Sequence, residues 1–193
     1  MQGAGEPNGH AIGNTQVESG AYRSIVRCCW QDQAMQTEVS WEQFAALRPD
    51  LASAGRDLLY QFGVGLAFLS TVRPDGGPRL HPVCPVLASG RMLAHIIPSL
   101  KRDDLHRDPR YALHSFPSPD NENAFYVTGR ARPVSDPGLA SGAAAQFLAE
   151  RGLETEPDDF ASGEFFELLL GRCLLTTTSG HGDWQPQHAT WAA

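Results

Sequence analysis

The feature that most constrains the fold of this chain is a succession of short apolar segments between residues 66 and 178, separated by glycine and proline. The segments are rich in β-branched, aromatic and aliphatic residues, which is typical of strands joined by hairpins. About six of them recur at roughly ten-residue spacing, and most are separated by no more than a short helix. This pattern predicts a mainly β (α+β) fold built on a closed antiparallel barrel rather than on alternating βαβ units.

Local signals give the boundaries of the predicted elements. Ser40 and Gln43 form a capping-box pattern at the start of a helix over Trp41–Leu47, and Pro49 begins a second helix that ends at Gly63. Strands are predicted over 66–72, 79–87, 91–97, 111–116, 124–132, 164–170 and 172–178. Two further short helices are predicted over 101–107 and 139–151.

Composition limits the class of protein. With 193 residues, 41% of them hydrophobic and 19% charged, the chain has the composition of one ordinary globular domain. It contains neither a signal-peptide pattern nor the run of roughly 20 apolar residues that a membrane-spanning helix requires, so we expect a cytoplasmic protein without a membrane partner. Acidic residues outnumber basic ones by 22 to 15, and the net charge of −7 argues against nucleic acid as a partner.

The first 38 residues differ from the rest of the chain. They are rich in Gly, Gln, Asn and Ser and lack an apolar period, which predicts a disordered tail over 1–38 and a single domain over 39–193. An internal Met35 leaves open whether the native product begins there. The cysteines show no CxxC spacing, so we interpret them as reduced thiols and not as a zinc site; they are Cys28, Cys29, Cys84 and Cys173.

A candidate anion site follows the strand predicted over 91–97. This strand runs into Ser99, and the next helix carries Lys101 and Arg102 in its first turn. Free backbone amides at a helix N-terminus, a hydroxyl and an ammonium group together suit a phosphate monoester. On this segment alone the simpler interpretation is favoured, in which Ser99 is only the N-cap and the two basic side chains are solvated.

A second cation is available on the preceding strand. Arg79 and His81 share one face of the strand predicted over 79–87. If that strand pairs with 91–97 through the Ser89-Gly90 turn, Arg79 approaches Lys101 across the hairpin. The two cations would then offset a phosphate charge of about −2. The alternative for Arg79 is a surface arginine beside a turn.

Other candidate groups give weaker signals. His81, His95 and His114 each lie within a predicted strand, where a packed or exposed histidine is the simpler interpretation. The sequence has no HExxH, GxSxG, P-loop or Rossmann pattern, so neither a metal site nor serine hydrolysis is indicated. The segment 180–191, with two histidines and two tryptophans, either docks the chain end or packs over an aromatic ligand.

Taken together, the segments resemble those of the pyridoxamine 5′-phosphate oxidase-like FMN-binding split β-barrels. The resemblance covers about residues 41–191 and rests on the order of GLAFLSTVRPDGGPRLHPV, an aliphatic strand, PSLKRDDLHRDPRYALHSF, NAFYVTGRARPV and RCLLTTT. It implies an antiparallel split barrel of six to seven strands with short flanking helices. It also implies a homodimer with the flavin at the subunit interface.

The resemblance further implies a set of cofactor contacts. The FMN phosphate would be held by Arg79, Ser99 and Lys101, with Arg102 nearby. The isoalloxazine ring would lie along the backbone of Leu80, His81, Pro82 and Val83 and against Ile96 and Ile97. In this family the flavin N5 carries out the hydride chemistry, so few catalytic side chains are implied, and we assign none.

The sequence departs from the family pattern at positions that bear on which reaction the protein could catalyse. Pro82, Val83 and Cys84 stand where pyridoxamine phosphate oxidases proper keep a second basic residue, which argues against vitamin B6 oxidase activity. Our leading hypothesis is a flavin-dependent oxidoreductase that uses FMN or a deazaflavin coenzyme on an unidentified small organic substrate. One alternative is a non-catalytic flavin- or haem-binding storage or sensor protein, in which His81 or His114 contacts the ligand.

Another alternative is a dimeric split barrel that has lost its ligand. Arg79 and Lys101 argue against this empty scaffold, because two converging cations without a phosphate would repel each other.

Overall fold

The computed structural model describes residues 38–193, so Cys28, Cys29 and almost all of the predicted tail lie outside the described residues. The described part contains four α-helices: α1 Trp41–Leu47, α2 Pro49–Leu59, α3 Leu100–Arg107 and α4 Pro137–Glu150. It contains eight strands: β1 Ala67–Val72, β2 Pro78–Val83, β3 Pro85–Ala88, β4 Arg91–Ile96, β5 Arg110–Ser115, β6 Ala124–Pro133, β7 Glu164–Thr177 and β8 Gln187–Ala192. A 3₁₀ turn, Phe160–Ser162, precedes β7.

The strands form one antiparallel sheet in the order β2-β1-β5-β6-β7-β4-β3, and β8 pairs with β7 outside this path. The fold class predicted from the sequence is therefore confirmed. The two ends of the path, β2 and β3, are consecutive in the chain and are joined through Cys84. Because one covalent connection links the two edges, the sheet curls into a barrel that is split between β2 and β3.

The strand predicted over 79–87 is wrong as a single strand. It is two strands that belong to opposite edges: β2 pairs with β1, and β3 pairs with β4. Pro82 and Pro85 have no backbone N–H and cannot continue a ladder of hydrogen bonds through this region, so the chain leaves one edge and joins the other at Cys84.

At the C-terminal end the prediction is also wrong, because two predicted strands are one. The segments predicted as two strands, 164–170 and 172–178, form the continuous strand β7, which contacts β4, β6 and β8 along its length. Gly171 marks a bulge in place of a turn, because Thr128 pairs with Arg172 while Gly129 pairs with Leu170.

Helices α1 and α2 close one side of the barrel core. The capping box predicted for Ser40 and Gln43 is present, with a Gln43 amide to Ser40 Oγ distance of 3.3 Å. This cap directs Trp41 and Phe44 into the core, where Phe44 is fully buried and contacts Phe125. Burial of one such side chain contributes about 1.5–3 kcal/mol. Within residues 38–193 no helix combines the length and apolarity needed to cross a membrane.

The chain end docks onto this core. Trp191 of β8 packs against Phe44 with ring centroids 5.0 Å apart. Trp184, in the loop before β8, is 95% exposed. The chain end therefore docks onto the core through Trp191 of the final strand, whereas the side chain of Trp184 does not pack against the core.

A smaller apolar cluster lies under α4. It joins Leu93 of β4 and Phe165 of β7 to Ala143 of the helix and Phe160 of the 3₁₀ turn. His95 lies within it, stacked on Phe160 with centroids 3.9 Å apart and the rings 12° from parallel.

Candidate functional site

Helix α3 begins at the split of the barrel. Strand β4 ends at Ile96 and α3 starts at Leu100, with Ser99 as its N-cap. Strand β2 ends at Val83 and β3 begins at Pro85, which pairs with Ala94, two residues before the end of β4. The crossing between the two edge strands therefore lies beside the start of α3, where β2, β4 and the helix meet.

Lys101 is the basic side chain at the start of α3, and it is the only lysine in the sequence. It is half-buried, and burial lowers the pKa of its ammonium group. Among residues 38–193 no carboxylate or carbonyl group pairs with it. A partly buried cation without a partner is costly unless an anion joins it, so the position favours an anionic ligand.

The backbone of the same turn offers donors. The amides of Arg102 and Asp103 both donate to Ser99 O, at 2.9 and 3.2 Å, whereas those of Leu100 and Lys101 have no acceptor in the described part of the chain. The Ser99 hydroxyl donates to Ile97 O at 2.8 Å and does not cap the helix. This set of donors, with the positive end of the helix dipole, fits a phosphate group.

Arg79 contacts α3, but not through the strand pairing that the sequence predicted. Its strand β2 pairs with β1 and not with β4, so it does not approach Lys101 across a hairpin. Instead its Nε donates to Asp104 Oδ2 at 2.7 Å. Lys101 and Asp104 are three residues apart and share a face of α3, which brings Arg79 to within about one helical turn of Lys101.

Asp104 is the site residue that the sequence interpretation missed. It is 2% exposed and accepts hydrogen bonds from Thr71, Arg79 and Arg107. Burial alone would raise the pKa of its carboxyl group, but these three hydrogen bonds outweigh burial and hold the pKa below its ordinary value. The signal was present in the sequence, because an acid three residues after Lys101 lies on the same helix face.

This carboxylate changes the charge balance of the site. Since Asp104 supplies a counter-charge to Arg79, the expectation that Arg79 and Lys101 would repel each other without a phosphate is wrong. The argument against an empty scaffold therefore depends on Lys101 alone.

Arg102 points away from Lys101. Its Nη1 donates to Ser162 O at 3.1 Å, and its Nε lies 3.6 Å from Glu164 Oε1. It ties α3 to the 3₁₀ turn and the start of β7. Of the predicted basic residues, Arg79 and Lys101 lie toward one face of the helix and Arg102 toward another.

The residues predicted to line the flavin ring differ in accessibility. On β2, Arg79, His81 and Val83 alternate with Leu80 and Pro82, which are exposed on the other face. Ile96 is fully buried in the barrel core, so only its backbone remains available to a ligand. Ile97 is 40% exposed beside Ser99.

His114 has one ring nitrogen engaged. It is exposed on β5, and its Nδ1 lies 2.6 Å from Ser115 O, which makes Nδ1 the donor, while Nε2 has no partner in the described part of the chain. Its cross-strand neighbours are Phe68 and Tyr126. Within the described range, no group of three or more His, Cys, Asp or Glu side chains is placed to hold a metal ion.

A shallow cavity of about 230 Å³ lies elsewhere, along the β1–β2 hairpin and β5. Its walls include Ser70, Val72, Pro78 and Arg110. None of the predicted site residues lines this cavity, whereas Lys101 and the free amides lie at the start of α3, which is therefore the candidate site.

Comparison with known proteins supports the fold. No family model and no curated protein matches the sequence. A haem-binding protein from Mycobacterium smegmatis is similar in structure, at 18% identity and a TM-score of 0.52; the match covers 72% of this chain and 57% of that protein. A protein from Listeria innocua assigned as a pyridoxamine 5′-phosphate oxidase has 13% identity and a TM-score of 0.50, covering 62% and 93% of the two chains.

A third similar structure is a protein from Bacteroides thetaiotaomicron assigned to 5-nitroimidazole antibiotic resistance. It has 10% identity and a TM-score of 0.51, and the match covers 63% of this chain and 80% of that one. At 10 to 18% identity these similarities establish the fold alone. The described chain has the split-barrel fold of the pyridoxamine 5′-phosphate oxidase-like proteins, which confirms at the level of the fold the resemblance found in the sequence.

Proposed function

We propose that this chain is a flavin-dependent oxidoreductase that binds FMN through its phosphate at the N-terminus of α3 and acts on a small organic substrate. The phosphate ligands are Lys101, the free amides of Leu100 and Lys101, and the guanidinium group of Arg79. Ser99 lies beside them, and Leu80–Val83 and Ile97 border the flavin ring.

The observation that carries this proposal is the unpartnered, half-buried Lys101 beside free amides. A terminal phosphate monoester accepts several hydrogen bonds at once and carries about two negative charges, which matches an ammonium group and a guanidinium group at a helix N-terminus. A neutral ligand would leave Lys101 without a counter-charge.

Bound FMN would supply hydride or electron transfer at its ring. The residues of this chain then have three tasks: to hold the phosphate, to fix the direction of the ring along β2, and to exclude water. Apolar side chains next to the phosphate ligands are exposed, with Leu80 at 63%, Ile97 at 40% and Leu100 at 62%. A second copy of the chain that covers these side chains would bury the ring, as the proposed homodimer requires.

The test compares FMN with riboflavin, which has the same ring but no phosphate. We expect purified protein to bind FMN at least about tenfold more tightly than riboflavin, and Lys101→Ala to weaken FMN binding about tenfold while leaving riboflavin binding unchanged. Arg73→Ala is the matched control, because Arg73 is an exposed cation on the β1–β2 turn. Equal affinity for the two flavins, or no binding of either, would contradict the proposal.

Catalysis is tested once FMN is bound. Anaerobic addition of NADH or NADPH should bleach the oxidised-flavin absorbance, and an acceptor substrate should restore it. A bound flavin that no reductant bleaches would support the storage or sensor alternative. A deazaflavin coenzyme that binds more tightly than FMN would replace FMN as the carrier.

A second candidate function, haem binding, is favoured by His114. Its Nδ1 donates to a backbone carbonyl while Nε2 is free, which is the usual arrangement of a metal-ligating histidine. Phe68 and Tyr126 on the neighbouring strands offer an aromatic surface for a flat macrocycle. Titration with haemin should produce a Soret band that His114→Ala weakens and His81→Ala does not; a spectrum identical in all three proteins would exclude this ligand role.

A further inference from the structure

Asp104 connects three elements below the start of α3. Its carboxylate accepts hydrogen bonds from Thr71 Oγ1 of β1 at 2.9 Å, Arg79 Nε of β2 at 2.7 Å and Arg107 Nη1 of α3 at 3.1 Å. The side chain is almost completely excluded from solvent. A buried carboxylate with three donors is held in one position, so each donor that it binds is held as well.

The contact with Arg79 fixes the direction of the guanidinium group. Because the group is planar, a hydrogen bond from Nε sets its plane and leaves the edge formed by the two Nη atoms free. Neither Nη atom has an acceptor within residues 38–193. That free edge can bind two oxygens of a phosphate in parallel.

We propose that Asp104 is a positioning residue, which orients Arg79 so that its free edge faces the phosphate held by Lys101. This inference rests on the proposed function, since it names a residue that prepares the same site. It concerns the phosphate group and not the flavin ring, because within residues 38–193 the carboxylate of Asp104 accepts hydrogen bonds from Thr71, Arg79 and Arg107 and from no residue predicted to line the ring.

Two physical effects of Asp104 on an anion have opposite signs. Its negative charge repels a phosphate, so if charge alone mattered, removal of that charge would tighten binding. Its hold on Arg79 pre-organises a bidentate contact, so if positioning dominates, removal of the carboxylate would weaken binding. The direction of the change therefore distinguishes the two effects.

The experiment measures FMN and riboflavin affinities for wild type, Asp104→Asn and Arg79→Ala, and for the double variant. We expect D104N to weaken FMN binding by about tenfold or more and to leave riboflavin binding unchanged. In the R79A background D104N should cause no further loss, because Asp104 acts through Arg79. Asp103→Asn, which removes the charge of an exposed neighbour, is the control and should have no such effect.

Several results would overturn the inference. The first is that D104N binds FMN as tightly as wild type or more tightly. The second is that D104N weakens FMN and riboflavin binding equally. The third is that D104N weakens FMN binding in the R79A background by the same factor as in wild type. If D104N does not fold, Thr71→Val removes one of the three donors and keeps the charge; it should weaken FMN binding about threefold, and unchanged binding would again overturn the inference. If wild-type protein binds no FMN, the proposed function is wrong. If FMN binds but its affinity does not depend on Asp104, only this inference is wrong.

Discussion

In the proposed phosphate site, Lys101 is a half-buried cation that would serve binding at a cost in stability. Burial lowers its pKa, so the ammonium form is disfavoured in the folded chain. At a pH between the pKa of Lys101 in the folded chain and its higher pKa in the unfolded chain, the unfolded chain holds more protons. In this range folding becomes more favourable as the pH rises. At a pH below this range the charged side chain reduces stability when no anion is bound.

This leads to a prediction for Lys101→Met. The variant should unfold at a higher urea concentration than wild type at neutral pH, because an apolar side chain replaces a half-buried charge. It should lose about 1.5–3 kcal/mol of FMN binding, the usual contribution of a charge-assisted hydrogen bond. Urea titration and FMN titration check the two effects, with Arg73→Ala as the control that changes neither. A variant that is less stable and binds FMN normally would contradict both statements.

His95 gives the chain a second pH response. Its ring lies between Phe160 and Phe165, and burial lowers its pKa, against smaller opposing effects of a Phe160 backbone hydrogen bond and of Glu156. The pKa of His95 is lower in the folded chain than in the unfolded chain, so as the pH falls the unfolded chain is protonated first. This uptake favours the unfolded state and lowers the free energy of unfolding in acid.

We therefore expect the free energy of unfolding to fall as the pH is lowered from about 7.5 to about 5.5, and to fall less in His95→Phe. The difference between the two urea-unfolding series isolates the histidine from the carboxyl groups that also titrate. Identical slopes in the two proteins would show that His95 is protonated equally in both states.

At the scale of elements, a bulge shifts the register between β6 and β7, the longest strand. Gly129 lies at this register shift, and a Cβ atom there would be 1.8 Å from Leu169 O. Gly142 of α4 is the contrasting position, where a Cβ atom would meet nothing within 4 Å.

Alanine at the two glycines should therefore have different effects. Gly129→Ala should lower the free energy of unfolding by about 2–3 kcal/mol, because a backbone carbonyl must move. Gly142→Ala should leave it unchanged or raise it by up to about 1 kcal/mol, since alanine favours a helix interior. Urea denaturation measures the free energy of unfolding of both variants. Equal changes at the two positions would mean that the bulge tolerates a side chain.

The elements also show what a sequence can and cannot predict. The helices over Trp41–Leu47 and 101–107 and the β3–β4 and β5–β6 hairpins follow from caps, turn residues and local periodicity, and the structure has them. Pro82 and Pro85 signal an interruption within 79–87, but the partner strand of each half, β1 or β4, is set by long-range pairing that no local pattern encodes. For the same reason Lys101 was found from its own helix turn, whereas the Arg79–Asp104 contact required the positions of β2 and α3 in space.

At the scale of the whole molecule, we expect a homodimer. Leu80, Ile97 and Leu100 expose apolar surface next to the proposed phosphate ligands, and a second copy would cover it. Light scattering of the purified protein should give about twice the chain mass of 21.0 kDa. Leu80→Glu should shift the protein toward the monomer and weaken flavin binding. Leu47→Glu, at a residue 60% exposed on α1, should do neither. Monomeric wild-type protein that still binds FMN would contradict the dimer.

The most direct test of the central claim uses the fact that the sequence contains a single lysine. Reductive methylation with ¹³C-formaldehyde keeps the positive charge and gives one lysine side-chain NMR signal, which is distinguished from the terminal amine by its higher pKa. If Lys101 holds the FMN phosphate, titration with FMN will shift this signal saturably and raise the pKa that it reports, while riboflavin will leave it in place. A signal that FMN does not move, from protein that is folded and saturated with flavin, would contradict the assignment of the phosphate site to Lys101.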